Sequence, residues 1–184
     1  MSDARSVSVI LPVKCDNAAY RLALAALKAA SPAADDVIVV TDGSLPTAAD
    51  LARAHGFRVV ERSTSGGPAA ARNTGACASS SDLLLFIDAD VAITPDLIGR
   101  VRAALADPAV AAVVGCYDDE APETNFFSQY KNLLQRYVHL QARSEGATFW
   151  GACGAIRRQV FFDVRGFDER FRLPSVEDID LATG

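Results

Sequence analysis

The amino-acid sequence predicts an α/β protein with a mostly parallel central sheet and helices on both of its faces. Short runs of β-branched and other apolar residues alternate with alanine-rich stretches of helical spacing over the first 117 residues. Strands that alternate with helices pair in parallel, because each helix returns the chain across the sheet. Half of the 184 residues are hydrophobic, which suits a single domain with one core.

Most predicted elements have a recognisable start or stop signal. The first strand is VSVILPV (7–13), and a helix follows at 17–30 with Asn17 as its N-cap. Pro68 and Pro95 are expected at first helical positions, the second after a Thr94 cap. The remaining predicted strands are 36–41, 57–61, 83–89 and 109–117, and the remaining helices are 47–56, 68–80 and 94–107. A polar loop (118–124), a long helix (125–143) and a strand, turn and helix (149–169) complete the prediction.

The composition argues against several classes of protein. The net charge of −5 comes without the basic stripe that nucleic-acid binding requires. We expect no signal peptide, and no apolar run approaches the ~20 residues of a membrane span. The four scattered cysteines suit neither a zinc site nor a disulfide framework, so we expect free, buried thiols. We expect a cytoplasmic protein, and contact with the inner face of the membrane stays open.

Two aspartates end the most hydrophobic of the predicted strands. In LLLFIDADV (83–91), Asp88 and Asp90 follow a run of apolar residues. Residues two apart on a strand face the same way, so the two carboxylates are expected to converge at the carboxyl end of the strand. Hard oxygen ligands are typical of Mg²⁺ or Mn²⁺ held together with substrate phosphates. Asp178 and Asp180 show the same spacing, so the position at a strand end is what favours a metal site.

Three further segments carry polar groups suited to a nucleotide or to a reaction. STSGGPAAARNTGA (63–76) combines a double-glycine loop, a helix start that could face a diphosphate, and Arg72 as a forked donor. Asp42 in VTDGS can accept hydrogen bonds from a base or ribose, although Asp-Gly is also a common turn pair. Glu177 and Asp178 precede an apparent helix start, where a carboxylate is stabilised and can act as a general base.

The ordered set of motifs resembles glycosyltransferase family 2, whose members are inverting enzymes with the GT-A fold. The matching segments, in family order, are VSVILPV, VTDGS, GGPAAARNTGA, LLLFIDADV, GFDERF and EDIDL. They run from about Val7 to Leu181, which is nearly the whole chain. YKNLLQRYVHLQA and TFWGACGAIRR are similar to a bacterial subgroup of the family.

The resemblance implies an activity and a domain organisation. The expected enzyme moves a sugar from a nucleoside-diphosphate sugar, a UDP-sugar being favoured, to a hydroxyl of a saccharide or lipid-linked acceptor. Mn²⁺ or Mg²⁺ is the implied cofactor. One domain is expected over 1–184, with a nucleotide-binding part over about 1–117 and an acceptor-side part over about 118–184. Family members continue past the position of Gly184, so we expect the acceptor side to be short.

The resemblance also implies residue roles. Asp178 is the implied catalytic base, with Glu177 beside it. Asp88 and Asp90 are the implied metal ligands, Asp90 being the more direct of the two. The residues implied in substrate binding are Pro12, Lys14, Asp42, Gly67, Arg72, Asp88, Trp150, Gly151 and Glu177. Thr41 stands where the family commonly has an aspartate, so Asp42 is expected to carry that role alone.

Other interpretations remain open at this point. A nucleotidyltransferase would carry a glycine-rich basic loop after the first strand, whereas PVKCDNA has one lysine and no glycine. A non-catalytic nucleotide-sugar-binding module is the main alternative, and hydrolysis of the donor would distinguish it from an enzyme. The aromatic helix predicted over 125–143 could lie on a membrane surface, although packing over the sheet or against a second subunit is favoured.

Overall fold

The computed structural model describes residues 5–116, 149 and 151–170 of the chain. The strands are β1 (Val7–Val13), β2 (Asp36–Asp42), β3 (Arg58–Arg62), β4 (Leu83–Ile87), β5 (Ala112–Val114) and β6 (Cys153–Arg157). The helices are α1 (Ala18–Ala29), α2 (Pro46–Ala54), α3 (Pro68–Ala78), α4 (Leu97–Ala104) and α5 (Arg158–Asp163). The strands form one sheet in the order β3-β2-β1-β4-β6-β5.

The first four strands form the parallel part of the sheet. β1 pairs in parallel with both β2 and β4, and β2 pairs in parallel with β3. β6 lies between β4 and β5 and runs antiparallel to both. The prediction of a mostly parallel sheet is confirmed. Because β1, β2 and β4 are parallel, their carboxyl ends lie at one edge, and the start of β6 joins them there.

Both faces of the sheet are covered, as the sequence predicts. Alternate residues of β1 point to opposite faces, so Val9 and Leu11 pack with α1, α2 and α4, whereas Ile10 packs with α3 and α5. The second face contains an aromatic cluster that joins the sheet to α5 and to the segment after it. Its members are Phe86, Phe149, Phe161 and Phe167.

The helix start signals are partly confirmed. The side chain of Asn17 caps α1 by accepting a hydrogen bond from the Tyr20 N–H at 2.9 Å. Pro68 is the first residue of α3, directly after Gly67. The predicted start of α4 is wrong, because the helix begins at Leu97 with Asp96 as its cap rather than at Pro95. The Pro95 carbonyl accepts a hydrogen bond from Ser31 N–H instead, at 2.8 Å.

Two other expectations have different outcomes. Among the described residues, no helix combines the length and the apolar character needed to cross a bilayer. The cysteines are free, as predicted, but the expectation that they are buried is wrong. Cys15, Cys77 and Cys116 are exposed, and Cys153 is partly exposed.

Candidate functional site

The carboxyl edge of the sheet gathers many of the residues that the motifs singled out. Pro12 lies partly buried near the end of β1, and Lys14 follows that strand in an exposed position. Asp42 is the last residue of β2, and Asp88 is the first residue after β4. Gly151 is buried just before β6. The topology therefore brings together residues that are far apart in the sequence.

Asp88 and Asp90 lie in a turn and not in the strand itself. β4 ends at Ile87, and Val91 N–H donates to the Asp88 carbonyl at 3.0 Å, which closes a four-residue turn. The prediction that strand alternation places the two carboxylates on one face is therefore wrong, because neither residue belongs to the strand. The Asp88 side chain is 35% exposed, and Asp90 is exposed. Both carboxylates reach the open edge of the sheet.

A buried arginine pairs with the first of these carboxylates. The Arg72 side chain, on α3, is only 4% exposed, and its Nη2 donates to Asp88 Oδ1 at 2.7 Å. The guanidinium carbon also lies 5.4 Å from the centre of the Phe167 ring, within the range of a cation–π contact. Arg72 therefore offsets negative charge next to the hydrophobic end of β4. Its role as a nucleotide ligand stays a prediction.

The donor atoms of this turn fit a hard divalent cation. Carboxylate oxygens are the preferred ligands of Mg²⁺ and suit Mn²⁺, and such ions commonly keep water and phosphate oxygens in their coordination shell. Within residues 5–116, 149 and 151–170, no group of three or more His, Cys, Asp or Glu residues could hold an ion. Asp88 and Asp90 thus suit an ion that completes its coordination with substrate or water oxygens.

Asp42, by contrast, is held by four donors from its own chain. Its Oδ1 accepts from Gly66 N–H at 2.8 Å and from Arg62 Nε at 3.2 Å. Its Oδ2 accepts from Ser65 Oγ at 2.7 Å and from Gly67 N–H at 3.0 Å. A carboxylate offers about four lone-pair positions, so these four donors account for its capacity. A nucleotide hydroxyl or N–H would have to displace one of them.

The electrostatics of Asp42 agree with this arrangement. Burial by itself would raise the pKa of the Asp42 carboxyl. The hydrogen bonds from Gly66, Ser65 and Gly67, with the nearby Arg62 guanidinium, outweigh burial and hold the pKa of Asp42 below its usual value. The side chain is only 5% exposed. Asp42 therefore remains ionised and anchors the loop that leads into α3.

This anchoring changes what can be expected of the double-glycine loop. The N–H groups of Gly66 and Gly67 donate to Asp42, so in this structure they are not directed at a diphosphate. Gly67 has a φ of 90°, a conformation that favours glycine. Arg62, which the sequence motifs did not single out, extends the network by donating to the Ala70 carbonyl at 3.1 Å and to Thr74 Oγ1 at 2.5 Å.

The close approach of α3 to the sheet depends on Gly75. A Cβ atom at this position would lie 2.5 Å from Ile10 Cγ2 and 3.1 Å from Val40 Cγ2. Ile10 and Val40 are fully buried, so they have little freedom to move away. The glycine allows the helix to pack closely on β1 and β2, three residues after Arg72. Gly75 thus helps to place the arginine that contacts Asp88.

Several predicted site residues lie outside the described residues. They are Trp150, Glu177 and Asp178, together with the predicted helix over 125–143. Their roles stay predictions. The structure pairs Arg72 with Asp88, and the exposed Asp90 follows two residues later. It places Asp42 in a separate hydrogen-bond network at the same edge.

Comparison with known proteins agrees with the motif pattern. The family described as Glycosyl transferase family 2 matches residues 8–165. A pre-mycofactocin glycosyltransferase from Mycobacterium tuberculosis is 32% identical over 186 residues, an alignment that covers 96% of this chain and 38% of that protein. The chain thus spans well under two thirds of this relative's length.

Solved structures support the fold. A mannosyltransferase from Pyrobaculum calidifontis, in complex with GDP-Man and Mn²⁺, superposes with a TM-score of 0.78 at 21% identity, over 99% of this chain and 52% of that one. Residues 1–349 of TarS from S. aureus, in complex with UDP, give a TM-score of 0.70 at 19% identity, over 96% of this chain and 54% of that one. With the mixed six-stranded sheet, these matches establish the GT-A fold. The chain belongs to glycosyltransferase family 2.

Proposed function

We propose that the protein transfers a sugar from a nucleoside-diphosphate sugar to an acceptor hydroxyl, with inversion at the anomeric carbon and with a divalent metal. The observation that carries the proposal is the turn after β4, where Asp88 and Asp90 stand at the carboxyl edge of the sheet and Arg72 pairs with Asp88. Ligands of open α/β sheets bind at this edge. Family membership supplies the reaction class.

The donor is proposed to lie over the turn, with its diphosphate toward Asp88 and Asp90. These two carboxylates would hold Mn²⁺ or Mg²⁺, which when bound supplies positive charge to the departing diphosphate. Arg72 keeps the Asp88 carboxylate in place through the 2.7 Å hydrogen bond. Pro12, Lys14, Trp150 and Gly151 are proposed to border the base, sugar and acceptor positions. Asp42 is proposed to support the donor site by holding the loop before α3.

The acceptor side of the proposal rests on the motif resemblance. Asp178 is proposed to take the proton from the acceptor hydroxyl, with Glu177 beside it. The acceptor oxygen then attacks the anomeric carbon from the side opposite the diphosphate, which inverts the configuration through an oxocarbenium-like transition state. General-base assistance of this kind typically contributes roughly 10²–10⁴-fold in rate. Residues 1–117 are proposed as the nucleotide-binding part and 118–184 as the acceptor-side part of one domain.

The solved structures that resemble this chain contain different nucleotides, so they do not identify the base of the donor. One of these structures contains GDP-Man with Mn²⁺, and the other contains UDP. GDP-Man and UDP both support a nucleotide-sugar donor for this chain. The structure with UDP agrees with the UDP-sugar that we propose as the first donor to test. The acceptor is proposed only as a saccharide or a lipid-linked hydroxyl compound.

A thermal-shift panel tests the donor site. UDP, GDP, CDP and dTDP are each added with and without Mn²⁺ to the wild-type chain, Asp90→Ala and Asp50→Ala. Asp50 has a 76% exposed side chain on α2 and is not one of the residues assigned to the site, so it serves as the matched control. A ligand at 100 times its Kd stabilises by about 2.7 kcal/mol, which gives a clear rise in Tm. A metal-dependent rise with one diphosphate that Asp90→Ala loses and Asp50→Ala keeps supports the proposal.

A second assay separates catalysis from binding alone. The wild-type chain and Asp178→Asn are incubated with UDP-glucose or GDP-mannose and Mn²⁺, and release of the nucleoside diphosphate is followed. An enzyme should release diphosphate slowly to water, and Asp178→Asn should reduce this release while nucleotide binding persists. Binding without any release in the wild type would instead identify a nucleotide-sugar-binding module.

A further inference from the structure

Asn73, on α3, joins that helix to a segment that lies almost a hundred residues further along the chain. Its Nδ2 donates to the Phe167 carbonyl at 2.8 Å and to Glu169 Oε1 at 3.0 Å. Its Oδ1 accepts from the Phe167 N–H at 3.0 Å. One side-chain amide therefore binds both backbone groups of Phe167 and one carboxylate oxygen. A carboxylate, a hydroxyl or an alkyl group cannot reproduce this combination of donors and acceptor.

The backbone of the bound segment is shaped to admit this amide. Gly166 has a φ of 69°, and a Cβ atom there would lie 2.8 Å from Asn73 Oδ1 and 3.0 Å from Phe161 Cζ. Arg165 also has a positive φ, of 70°, which is uncommon for a residue with a side chain. The turn before Phe167 therefore takes a specific conformation at the point where Asn73 reaches it.

Arg72, the residue before Asn73, contacts both the turn after β4 and Phe167. Arg72 donates to Asp88, and its guanidinium lies over the Phe167 ring. Two consecutive residues of α3 thus hold the turn after β4 and the 166–169 segment (Gly166, Phe167, Asp168 and Glu169) at a fixed separation. The 166–169 segment also borders a surface cleft of about 540 Å³, to which Asn73 and Arg165 contribute.

The aromatic cluster reinforces the same connection. The Phe167 ring lies 5.1 Å from the ring of Phe86, at an interplanar angle of 84°, and 5.6 Å from that of Phe161. Phe86 is on β4, two residues before Asp88. Phe167 is only 2% exposed, so its ring is held by the packing of this cluster, and Asn73 holds its backbone.

We propose that Asn73 is a positioning residue, which holds the 166–169 segment against α3 and so sets the acceptor-side edge of the site relative to the carboxylates of the donor side. The inference rests on the proposed function, because it assigns Asn73 a part in transfer and none in nucleotide binding. Asn73 acts through the backbone of Phe167 and is not placed in contact with the substrate.

The experiment compares Asn73→Ala with Gln159→Ala and with the wild type. Gln159 is an exposed amide on α5 that donates to Asp163 Oδ1 at 2.8 Å, so its loss removes an amide–carboxylate hydrogen bond of the same kind elsewhere. Hydrogen–deuterium exchange of a peptide covering 165–170 is measured first. We expect exchange at least tenfold faster in Asn73→Ala, unchanged exchange in Gln159→Ala, and unchanged exchange of β1 and β4 in both.

Diphosphate release from UDP-glucose or GDP-mannose and binding of UDP or GDP with Mn²⁺ are then compared in the same variants. We expect Asn73→Ala to lower turnover at least tenfold and to leave the Kd for the diphosphate within about threefold. Asn73→Asp, which keeps only the acceptor, should behave like Asn73→Ala. Adding Glu169→Gln to Asn73→Asp restores a donor–acceptor pair between these two side chains and should recover part of the turnover.

The possible results distinguish the positioning role of Asn73 from the proposed transferase function. Unchanged exchange at 165–170 in Asn73→Ala overturns the positioning role, whatever the protein binds. Faster exchange with unchanged turnover, or with turnover and nucleotide affinity falling together, also overturns it. A wild-type chain that binds none of the nucleotides refutes the proposed function, while the exchange measurement still decides whether Asn73 holds the segment.

Discussion

Two aspartates at the same edge of the sheet have opposite environments. Asp42, at the end of β2, is 5% exposed at its side chain and accepts four hydrogen bonds from its own chain. Asp88, just after β4, is 35% exposed at its side chain and is followed by the exposed Asp90. A carboxylate surrounded by protein donors stabilises the fold around it. Asp88 pairs with Arg72 but keeps part of its side chain in solvent, and the exposed Asp90 beside it can reach a cation or a ligand. Position at a strand end therefore does not by itself define a ligand.

The largest effect should come from removing the buried carboxylate. Asp42→Ala leaves the N–H groups of Gly66 and Gly67 and the Arg62 guanidinium without their acceptor, which should lower the free energy of unfolding by about 3 kcal/mol. Asp90→Ala removes an exposed side chain and should change it by less than ~0.5 kcal/mol. Urea denaturation of both variants measures the difference. Equal losses in the two variants would contradict the distinction between the two aspartates.

A slightly smaller effect is expected from Gly75→Ala, which acts on the helix between the two aspartates. The new Cβ atom would lie 2.5 Å from Ile10 Cγ2, so α3 must move away from β1. Overpacking typically costs about 1–3 kcal/mol, and an approach of 2.5 Å to the fully buried Ile10 belongs in the upper part of that range. The better helix propensity of alanine offsets about 1 kcal/mol, which leaves about 1–2 kcal/mol. Thermal unfolding monitored by circular dichroism measures the loss. Cys77→Ala, an exposed change on the same helix, is the control and should be near neutral.

Asp42 should contribute to the fall in the free energy of unfolding at acid pH, because its pKa is lower in the folded protein than in the unfolded chain. The folded protein holds the pKa of Asp42 below its usual value, because the donors from Gly66, Ser65 and Gly67 outweigh the effect of burial. The stabilisation from its ionised form is therefore fully present above the unfolded pKa of about 3.9, and it is lost as the pH falls through the lower folded value. Asp42→Asn should flatten the acid decline in the free energy of unfolding below about pH 4. Identical slopes for the two proteins would show that Asp42 has no such coupling.

The smallest effect should follow from removing one donor to Asp42. Ser65→Ala loses the 2.7 Å hydrogen bond to Oδ2 but leaves the other three donors in place, so we expect a loss of about 0.5–1 kcal/mol. Ser63→Ala, an exposed change two residues earlier, should have no measurable effect. Chemical denaturation of both variants provides the comparison, and a loss in Ser63→Ala as large as in Ser65→Ala would remove the special role of Ser65.

The sequence predicted the parts of the fold that local signals determine. Alternating strands and helices indicated the parallel arrangement of β1 to β4, and Asn17 and Pro68 marked helix starts that the structure confirms. Local signals misplaced the start of α4, because the Pro95 carbonyl accepts a hydrogen bond from the N–H of Ser31, just after α1, and not from within the helix. They also gave no sign that β6 inserts antiparallel between β4 and β5, since that pairing joins residues about 70 positions apart.

The environments of the site residues were harder to predict. The position of Asp88 and Asp90 after an apolar run located the carboxyl end of β4. The prediction extended the strand to residue 89, because the point at which β4 ends depends on the tertiary structure. The four donors to Asp42 come from residues 20 to 25 positions away, so the VTDGS motif alone could not predict that its carboxylate is already hydrogen-bonded. Asn73 stands next to a residue that the motif did single out, yet its partner Phe167 is 94 positions away. Contacts of this range depend on the assembled sheet.

The central claim is that the donor is held by the carboxylates after β4 and not by Asp42. Titration calorimetry of UDP and GDP, with and without Mn²⁺, tests it in the wild type, Asp90→Ala and Asp42→Asn, at a temperature where all three are folded. The account predicts metal-dependent binding of one diphosphate by the wild type, at least tenfold weaker binding by Asp90→Ala, and a Kd within about threefold of wild type for Asp42→Asn. Binding that Asp42→Asn abolishes and Asp90→Ala retains would contradict it.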